Sequence, residues 1–511
     1  MNTHPLWSER IISPQYSAVA EEVNTEVLVI GGGLTGVSTA HLLARTGLKV
    51  TLLERDRLGC GDTAHTTGHL TYMTDTRLSE LVRVCGEEKA FLSWTAGARA
   101  MDRIRQTVRQ LGVDVELREV PGYLVAAESD DIEAEVRKME EEAEMARSLG
   151  FDVRLLDNVT PTGRPGLLFA SQMKFHPLKY LHALAAEAQR AGVRIHELSD
   201  VGDFGENPRH VIANGHRVTF DHVVIATHVP LQGLMGTMGA SLFQTKLASY
   251  STYATAAIAP SGTLPEIIWS DTAEPFHYLR VNRSPEGDVV IWGGEDHKTG
   301  QKVDTTECFG RLEQSLLEIV PEAAVSHRWS GQVVETVDGL PYIGEITDRQ
   351  YIATGFSGNG MTFSVVAAMM IRDKIIGQHN DLEDAFSPCR KELAALPNYL
   401  RENKDFPYRM IKDRLGIEET RPEQLKIGEG VVLKLDDENV AACRDAAGVL
   451  HCVSAVCPHL GCIVAWNPGE QTWDCPCHGS RFEADGSLIA GPAEMGLDPT
   501  TKALPESELV K

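Results

Sequence analysis

Positive charge is scarce in this sequence of 511 residues. Its 48 lysines and arginines are outnumbered by 72 aspartates and glutamates, which gives a formal net charge of −24 at pH 7. A field of this sign repels polyanions at long range, so nucleic acid and anionic membrane surfaces are disfavoured as main partners. The length predicts two to four domains, at about 100–200 residues per domain.

Export and membrane signals are also missing. The first thirty residues contain no basic segment followed by an uninterrupted apolar run and no twin arginine, so we expect a cytoplasmic protein. The longest uncharged stretch, Gln350 to Ile371, has the length of a membrane span, but its interior reads GFSGNGMTFS. A glycine-rich polar loop of this kind predicts a strand, a loop and a helix, and no integral membrane segment.

Cysteine is too sparse for a disulfide scaffold, yet six of the ten cysteines lie within residues 443–477. The segments CPHLGC and CPCHGS supply Cys457 and His459 from one loop, and Cys475 and His478 from the other. Two cysteines and two histidines could hold a tetrahedral zinc ion. Because each loop supplies one ligand of each type, the order favours a Rieske [2Fe–2S] cluster, with two cysteines on one iron and two histidines on the other.

The C-terminal region from about residue 426 to 505, including GPA at 491–493, resembles the Rieske proteins of the quinol-oxidising cytochrome complexes of the bc1 and b6f type. The resemblance implies a small all-β domain that binds the cluster through Cys457, His459, Cys475 and His478. It also implies a disulfide between Cys462 and Cys477 that ties the two loops together. Zinc remains the alternative metal.

A βαβ unit opens the rest of the chain. The apolar run at 26–30 is followed by GGGLTG, a helical pattern and a second strand that ends at Glu54. Gly31, Gly33 and Gly36 fit G-x-G-x-x-G, the pattern in which backbone approaches a pyrophosphate at a helix N-terminus. The carboxylate of Glu54 can accept hydrogen bonds from ribose hydroxyls, so these residues predict a dinucleotide site.

Two later segments identify the dinucleotide. The small-residue loop RLGCGDTAHTTGHLT at 57–71, which we name the flavin loop, follows the βαβ unit, and TVDGLPYIG followed by ATGFSGNGM supplies a second glycine loop. With these motifs, about residues 24–385 resemble the D-amino-acid oxidase-like flavoenzymes, such as glycine and sarcosine oxidases and dimethylglycine dehydrogenase. The resemblance implies FAD, an α/β Rossmann-type FAD-binding domain and an interleaved, mainly antiparallel substrate domain.

The FAD-binding candidates come from both glycine loops and from the segments between them. They are Gly31, Gly33, Leu34, Thr35, Gly36, Glu54, Arg55, Thr63, His65, Thr66, Thr67, Gly68, Thr227, Gly355, Gly358, Gly360, Met361 and Thr362. In the family, backbone amides of the second loop face the pyrimidine edge of the flavin. TAHTTGHL also resembles a segment in which dimethylglycine dehydrogenase relatives attach FAD to histidine, although the Trp is missing and one residue is inserted. His65 is therefore either a covalent attachment point or a residue that lines the flavin loop.

The expected domain boundaries follow from these motifs. The FAD-binding domain is expected at 24–85, 150–244 and 336–385, the substrate domain at 86–149 and 245–335, a linker or docking arm at 386–425, and the Rieske domain at 426–511.

The combination of FAD and a Rieske cluster predicts an electron relay. A flavin takes two electrons as a hydride from a C–N bond, whereas the cluster takes one electron at a time. We therefore expect an amine or amino-acid dehydrogenase, whose substrate can be N-methylated or cyclic. A one-electron carrier protein or a quinone would then be the acceptor.

The alternatives are an oxygen-using amine oxidase with an accessory cluster, or a redox protein without catalysis. A Rieske oxygenase is disfavoured, because only 33 residues follow His478.

Substrate residues are sought in the stretch 245–335. Because family members clamp a carboxylate with Arg and Tyr, and because alternate residues of a strand share a face, Tyr278 and Arg280 of PFHYLRV are candidates. Lys246 is a candidate for a place near N5 of the flavin, where relatives use lysine to activate oxygen. Further candidates are His297 with its neighbours Asp296 and Lys298, as well as His277; His176 is expected to begin a helix.

Overall fold

The computed structural model describes residues 4–9, 11–129, 131–231, 233–302, 304–391, 393–404, 422–435 and 438–500. Strands are numbered β1 to β26 and helices α1 to α11 in chain order. Of the expected arm at 386–425, residue 392 and residues 405–421 lie outside the described residues.

A six-stranded sheet carries the predicted βαβ unit. Its order is β18-β19-β12-β2-β3-β8, and its strands are parallel except β18, which is antiparallel to β19. Both faces of β2 and β3 are buried, as expected where helices cover a parallel sheet on both sides. The strands are β2 (Val27–Ile30), β3 (Val50–Leu53), β8 (Arg194–His196), β12 (His222–Ile225), β18 (Tyr342–Thr347) and β19 (Gln350–Thr354).

A larger, mainly antiparallel sheet forms the second layer. It has the order β17-β13-β16-β15-β14-β5-β7-β4, with β6 paired to β7. Its strands are β4 (His69–Leu70), β5 (Arg118–Val125), β6 (Val153–Val159), β7 (Arg164–Lys174), β13 (Leu247–Ala259), β14 (Ile268–Asp271), β15 (Tyr278–Ser284), β16 (Gly287–Lys298) and β17 (Ala324–Thr336). A four-stranded sheet beside the first is made of β1 (Val23–Asn24), β9 (Val201–Glu206), β10 (Arg209–Ala213) and β11 (His216–Thr219).

The boundary expected at residue 150 differs from the sheet boundaries. Residues 153–174 were assigned to the FAD-binding domain, but β6 and β7 belong to the large sheet, where β7 pairs with β5. The alternating burial along β7 fits a strand with one face on the core, a pattern that antiparallel sheets share.

Helices cover the two large sheets. Helix α1 is buried along its whole length and packs between α6 and α9. The helices are α1 (Leu34–Ala44), α2 (Asp62–His65), α3 (Leu78–Cys85), α4 (Glu87–Leu111), α5 (Ile132–Ser148), α6 (Pro177–Arg190), α7 (Gly236–Gln244), α8 (Thr306–Ile319), α9 (Gly360–Ile375), α10 (Glu383–Phe386) and α11 (Leu396–Asn403). None of the helices in the described ranges is long and apolar enough to span a lipid bilayer.

The C-terminal domain consists of two small antiparallel sheets. The first contains β20 (Gly430–Leu435), β21 (Glu438–Arg444) and β22 (Leu450–Ser454), and the second contains β23 (Ala465–Asn467), β24 (Thr472–Asp474), β25 (Arg481–Phe482) and β26 (Leu488–Ala490). The expected all-β domain is therefore confirmed. The uncharged stretch 350–371 forms β19, a short turn and the start of α9, as its glycine loop predicted.

A buried ion pair fixes the turn between β17 and β18. Both oxygens of Asp338 accept hydrogen bonds from Arg390, each at 2.7 Å, and Arg390 also donates to the carbonyl of Pro341 at 2.7 Å. The guanidinium lies 3.9 Å from the ring centroid of Tyr342. This contact attaches the segment after α10 to the strand that leads into the second glycine loop.

Removal of one partner of this pair should destabilise the fold strongly. Arg390→Met leaves the Asp338 carboxylate buried without its partner, at a cost of about 3–5 kcal/mol in unfolding free energy. Arg99→Met breaks an exposed pair with Asp381 and should cost less than about 1 kcal/mol. Urea unfolding of both variants measures the difference; equal midpoints would contradict this account of the pair.

Candidate functional site

The first glycine loop joins β2 to α1 through the closest backbone contacts of the fold. A Cβ at Gly31, whose φ is +109°, would lie 2.4 Å from the carbonyl oxygen of Ala226, and one at Gly36 would lie 1.9 Å from that of Gly31. Larger residues are therefore excluded by backbone atoms that cannot move aside. The loop leaves the N-terminus of α1 accessible from the cavity. A helix N-terminus favours the binding of an anionic phosphate.

The predicted ribose ligand lies at the end of β3. Glu54 accepts hydrogen bonds from the N–H groups of Gly32 at 2.5 Å and of Asp56 at 2.8 Å. Burial raises the pKa of this carboxyl group. Next to it, Arg55 donates to the carbonyl of Ile489 in the C-terminal domain at 2.8 Å, so that the two domains meet beside this end of the site.

A single cavity of about 2230 Å³ connects the two glycine loops. Its wall contains most of the FAD candidates: Gly31, Gly33, Leu34, Thr35, Glu54, Arg55, Thr63, His65, Thr66, Thr67, Thr227, Gly355, Gly358, Gly360 and Met361. The other candidates, Gly36, Gly68 and Thr362, are not part of this wall. The volume, the tight first loop and the two helix N-termini at α1 and α9 fit a bound FAD.

The second glycine loop is fixed by a residue that the sequence reading did not single out. Asp75 accepts a hydrogen bond from the N–H of Gly358, and a Cβ at Gly358 would lie 2.7 Å from the Asp75 carboxylate. The side chain of Asn359 donates to the carbonyl of Met73 at 2.6 Å and accepts from the N–H of Asp75 at 3.2 Å. The Gly358 amide, expected to face the flavin, is therefore occupied by Asp75.

His65 lies at the end of α2 and forms part of the cavity wall. Its Nδ1 is 3.0 Å from the carbonyl oxygen of Gly61, and its own carbonyl accepts a hydrogen bond from the Trp329 indole at 3.0 Å. These contacts fix the flavin loop against β17. Covalent attachment of FAD at His65 stays a prediction.

Of the first substrate candidates, only Tyr278 reaches the cavity. Its hydroxyl lies 2.8 Å from that of Thr252 and donates to the carbonyl of Tyr253 at 3.2 Å, and burial raises its pKa. Its ring contacts His69 at 6.3 Å between centroids, so Tyr278 faces the flavin loop.

Arg280 shares that face but does not line the cavity. Its Nη1 donates to the carbonyls of Thr67 and Gly68 at 2.7 and 2.8 Å, and its guanidinium lies 4.8 Å from a ring centroid of Trp7. Burial lowers the pKa of Arg280 to about 9. The structure thus corrects its expected role as a carboxylate clamp: the side chain supports the flavin loop from behind.

The structure also places Lys246 and His297 outside the cavity wall. Lys246 donates to the carbonyl of Pro388 at 3.3 Å and lies over the rings of Phe243 and Tyr342, which separates it from the flavin loop. His297 is stacked on Tyr253, with Nε2 3.1 Å from the Tyr253 hydroxyl. Neither side chain can contact a ligand there.

The secondary candidates have structural partners, with one exception. His277 lies 3.3 Å from the Asp271 carboxylate, a hydrogen bond that raises the histidine pKa. Lys298 forms an ion pair with Glu402 at 2.9 Å. His176 is the N-cap of α6, as expected, and accepts from the N–H of Lys179 at 3.3 Å. The exception, Asp296, lines the cavity.

Three carboxyl groups, those of Asp75, Asp296 and Glu335, line the cavity near enough for their charges to interact. Burial raises the pKa of Asp75 to about 6, of Asp296 to about 7 and of Glu335 to about 8, and each of the latter two is raised further by its acidic neighbours. Sequence reasoning missed Asp75 and Glu335. The position of Glu335, directly before the TVDGLPYIG motif on β17, was the available signal.

Two loops of the C-terminal domain repeat one backbone pattern. In the first, Cys457 accepts from the N–H of Gly461 at 3.0 Å and donates its own N–H to Cys462 at 2.8 Å. The second has the same two bonds between Cys475, Gly479 and Ser480, at 3.0 and 2.7 Å. Each loop, 457–462 and 475–480, therefore presents its first cysteine in the same way; we name them the cluster loops.

The cluster loops bring the two predicted cysteine ligands into contact with each other, and likewise the two predicted histidine ligands. A hydrogen bond with Cys475 lowers the pKa of the Cys457 thiol to about 7, and the rings of His459 and His478 are 4.9 Å apart between centroids. Burial lowers the pKa of His459 to about 4, so its imidazole is neutral, and its Nδ1 is buried without a hydrogen-bond partner among the described residues. Two thiols and two neutral imidazoles fit a Rieske cluster.

The disulfide implied by the resemblance is present and joins Cys462 to Cys477, one cysteine from each cluster loop. The sulfurs of Cys462, Cys475 and Cys477 lie within 4.8 Å of one another. Because two of them are bonded to each other, Cys475 is the thiol of this group that remains for a metal.

The histidine edge of the C-terminal domain packs on the FAD-binding part of the chain. Nε2 of His459 lies 2.7 Å from Oε1 of Gln244, whose Nε2 donates to the carbonyl of Pro230 at 3.0 Å. That second bond fixes the amide so that its oxygen faces the histidine. The hydroxyl of Ser249 donates to the carbonyl of His478 at 3.2 Å.

Strand β17 contacts both the flavin loop and a cluster loop. The backbone N–H of Gln332 donates to Asp62 at 3.1 Å, and its side chain donates to the carbonyl of Gly479 at 2.7 Å. A Cβ at Gly331 would lie 3.1 Å from the carbonyl of His65, and one at Gly479 would lie 2.4 Å from Ser249. Strand β17 thus lies between the flavin loop and the cluster loop 475–480.

The tight first loop makes a direct prediction about cofactor retention. Gly36→Ala should abolish FAD binding, because its Cβ would overlap the Gly31 carbonyl and displace the loop. Gly310→Ala, on the exposed side of α8 with open space around its Cβ, should keep the full flavin content. The 450 nm absorbance of the purified proteins per mole of chain measures this; a yellow Gly36→Ala protein would contradict the prediction.

Comparison with known proteins identifies the two parts of the chain. Residues 26–374 match the family model described as FAD dependent oxidoreductase (DAO), and residues 417–501 match the Rieske [2Fe-2S] domain. The Bacillus subtilis (strain 168) protein YhfW, whose name describes it as a Rieske 2Fe-2S iron-sulfur protein, is 32% identical over 495 residues, 95% of each chain. Gamma-glutamylputrescine oxidoreductase of Escherichia coli (strain K12) is 24% identical over 443 residues, 79% of this chain and 96% of that one.

Solved structures agree with the fold. Glycine oxidase from Geobacillus kaustophilus superposes with a TM-score of 0.61 at 18% identity, over 72% of this chain and 99% of that one. L-proline dehydrogenase from P. horikoshii gives 0.59 at 20% identity, over 72% and 97%. The expected fold and both expected cofactors are confirmed: the chain belongs to the FAD dependent oxidoreductase (DAO) family and carries a C-terminal Rieske [2Fe-2S] domain.

Proposed function

We propose that this protein is an amine or amino-acid dehydrogenase in which electrons from a C–N bond leave through the Rieske domain. FAD supplies hydride acceptance, and the cluster supplies one-electron transfer. Bound FAD would accept a hydride from the substrate carbon while the nitrogen releases a proton to solvent, which leaves an imine. The proton of that hydride would then be released, and the two electrons would pass singly through the cluster to an external one-electron carrier protein or a quinone.

One observation carries the relay. Gln332 contacts Asp62 of the flavin loop through its backbone and Gly479 of a cluster loop through its side chain. In the same interface, His459 contacts Gln244, so the histidine edge of the Rieske domain packs on the FAD-binding part of the chain. This arrangement supports transfer within one chain.

The residues around the cavity suit the first step. A desolvated, neutral amine is required for hydride loss, and Tyr278 lines the cavity together with Phe276, whose ring centroid lies 5.9 Å from that of Tyr278. These groups exclude water and hold the substrate against the flavin loop, which supplies catalysis by proximity without a strong acid or base.

An oxygen-using oxidase is the alternative reaction. It would need a cation near the flavin for oxygen activation, and Lys246, the candidate for that role, is held at the carbonyl of Pro388 instead. The names of structural relatives include both an oxidase and a dehydrogenase, so the family alone does not decide between them. The position of Lys246 outside the cavity wall and the packing of the Rieske domain on the FAD-binding part of the chain favour the dehydrogenase.

The cluster ligands allow the relay to be tested. An anaerobic screen of amines and N-methyl amino acids should bleach the flavin of the native protein and then produce the electron paramagnetic resonance signal of the reduced cluster. Cys457→Ser removes a proposed iron ligand, so we expect bleaching at the native rate with no cluster signal. Cys443→Ser, a buried cysteine of the same domain away from the ligands, should retain both signals. Native protein in which the flavin bleaches while the cluster stays oxidised would contradict the relay.

A further inference from the structure

We infer that the substrate carries a cationic nitrogen besides the reacting amine, and that Asp75, Asp296 and Glu335 bind it. This inference rests on the proposed function, because it assigns the substrate class of the same cavity. The three carboxyl groups belong to the segment after the flavin loop, to β16 and to β17, and all three line the cavity.

A β-bulge directs Asp296 into the cavity. The pairing of β13 with β16 shifts between Ser251 and Tyr253, and Glu295 adopts a φ of +61°, a conformation rare for a residue other than glycine. The bulge turns Glu295 outward, where it binds Arg311 at 2.6 Å. Bulges beside active sites commonly redirect a side chain in this way, and the side chain redirected here is a carboxylate.

The carboxylate of Asp296 has unfilled hydrogen-bonding capacity. Thr252 is one hydrogen-bond partner of this carboxylate, whereas its Oδ1 is buried and has no partner among the residues that the structure describes. A buried polar atom without a partner is costly, and such atoms in native proteins call for a ligand or an ordered water. An ammonium group, with three N–H donors, is a matching ligand.

The three carboxyl groups lack ionic partners, whereas the cations of the wall do not. In the described part of the chain, no lysine or arginine lies within ion-pair distance of Asp75, Asp296 or Glu335. The wall arginines are paired with acids of the protein: Arg55 with Asp56, Arg77 with Glu135 and Glu142, Arg328 with Glu313, Arg401 with Glu402, and Arg481 with Glu470 and Asp474. Among the described residues the arginines of the wall are therefore paired, while the three acids are left for a cationic ligand, whose charge would favour their ionised forms.

These three acids also disfavour a simple amino acid as the substrate. A substrate carboxylate is usually held by a bidentate guanidinium, but Arg280 is occupied by the carbonyls of Thr67 and Gly68. Burial and neighbouring acids already raise the pKa values of Glu335 and Asp296, and a ligand carboxylate beside them would add a further acidic group to a low-dielectric site. A diamine or a polyamine derivative fits the cavity, with one nitrogen at the flavin and the other at the acids.

Three five-carbon probes that differ only in their terminal charge test this inference. They are 1,5-diaminopentane, pentylamine and 5-aminopentanoate, mixed anaerobically with the FAD-loaded full chain. The shift of the flavin spectrum before any bleaching reports binding separately from oxidation. We expect the diamine to bind at least about tenfold more tightly than pentylamine, and 5-aminopentanoate to bind most weakly.

Two isosteric variants localise the effect. Asp296→Asn and Glu335→Gln should each weaken binding of the diamine at least about tenfold and leave binding of pentylamine unchanged. Glu295→Gln, the neighbouring acid that faces Arg311, is the matched control and should bind all three probes like the native protein. Because two variants are used, poor folding of one does not remove the test.

The outcomes separate this inference from the proposed function. Tighter binding of 5-aminopentanoate than of the diamine, or diamine binding insensitive to both variants, would overturn the inference even if amines bleach the flavin. A charge-dependent spectral shift without bleaching by any amine would support the inference and count against the dehydrogenase.

Discussion

The contact of Gln332 with Asp62 on one side and Gly479 on the other is the constraint on which the rest of the structure depends. It requires β17 to run between two loops that come from different domains and serve different cofactors. Glycine is needed at 479, where a Cβ would lie 2.4 Å from Ser249 of β13, and a Cβ at Gly331 of the strand itself would be in tight contact with the flavin loop, 3.1 Å from the His65 carbonyl. The interface is therefore built into the sequence of both domains.

The same strand organises the substrate side of the cavity. Gln332 holds the Rieske domain, and three residues later Glu335 lines the cavity together with Asp75 and Asp296. Positive side chains near the flavin are used for structure instead: Arg280 supports the flavin loop, and Arg390 fixes the turn that leads to the second glycine loop. These arginines thus stabilise the fold, whereas the three acids of the cavity wall are left for the proposed substrate.

Local sequence patterns were sufficient where a function depends on neighbouring residues. The βαβ unit, the glycine loops and the Cys–His loops each carry their chemistry within a few residues, so motif and spacing predicted them. Alternation also placed Tyr278 and Arg280 on one face correctly. It could not show that the cavity ends before Arg280, because that depends on Trp7 and the flavin loop, more than 200 residues away in sequence. The bulge at Glu295 and the partners of Gln244 are tertiary features of the same kind.

The central claim is that electrons pass from flavin to cluster inside one chain. Photoreduction of the flavin under anaerobic conditions avoids any choice of substrate, and absorbance or paramagnetic resonance then follows reduction of the cluster. Docking of the histidine edge on the FAD-binding part predicts a first-order rate constant that stays the same when the protein is diluted tenfold. A rate that falls in proportion to the protein concentration would show transfer between molecules and would contradict the account.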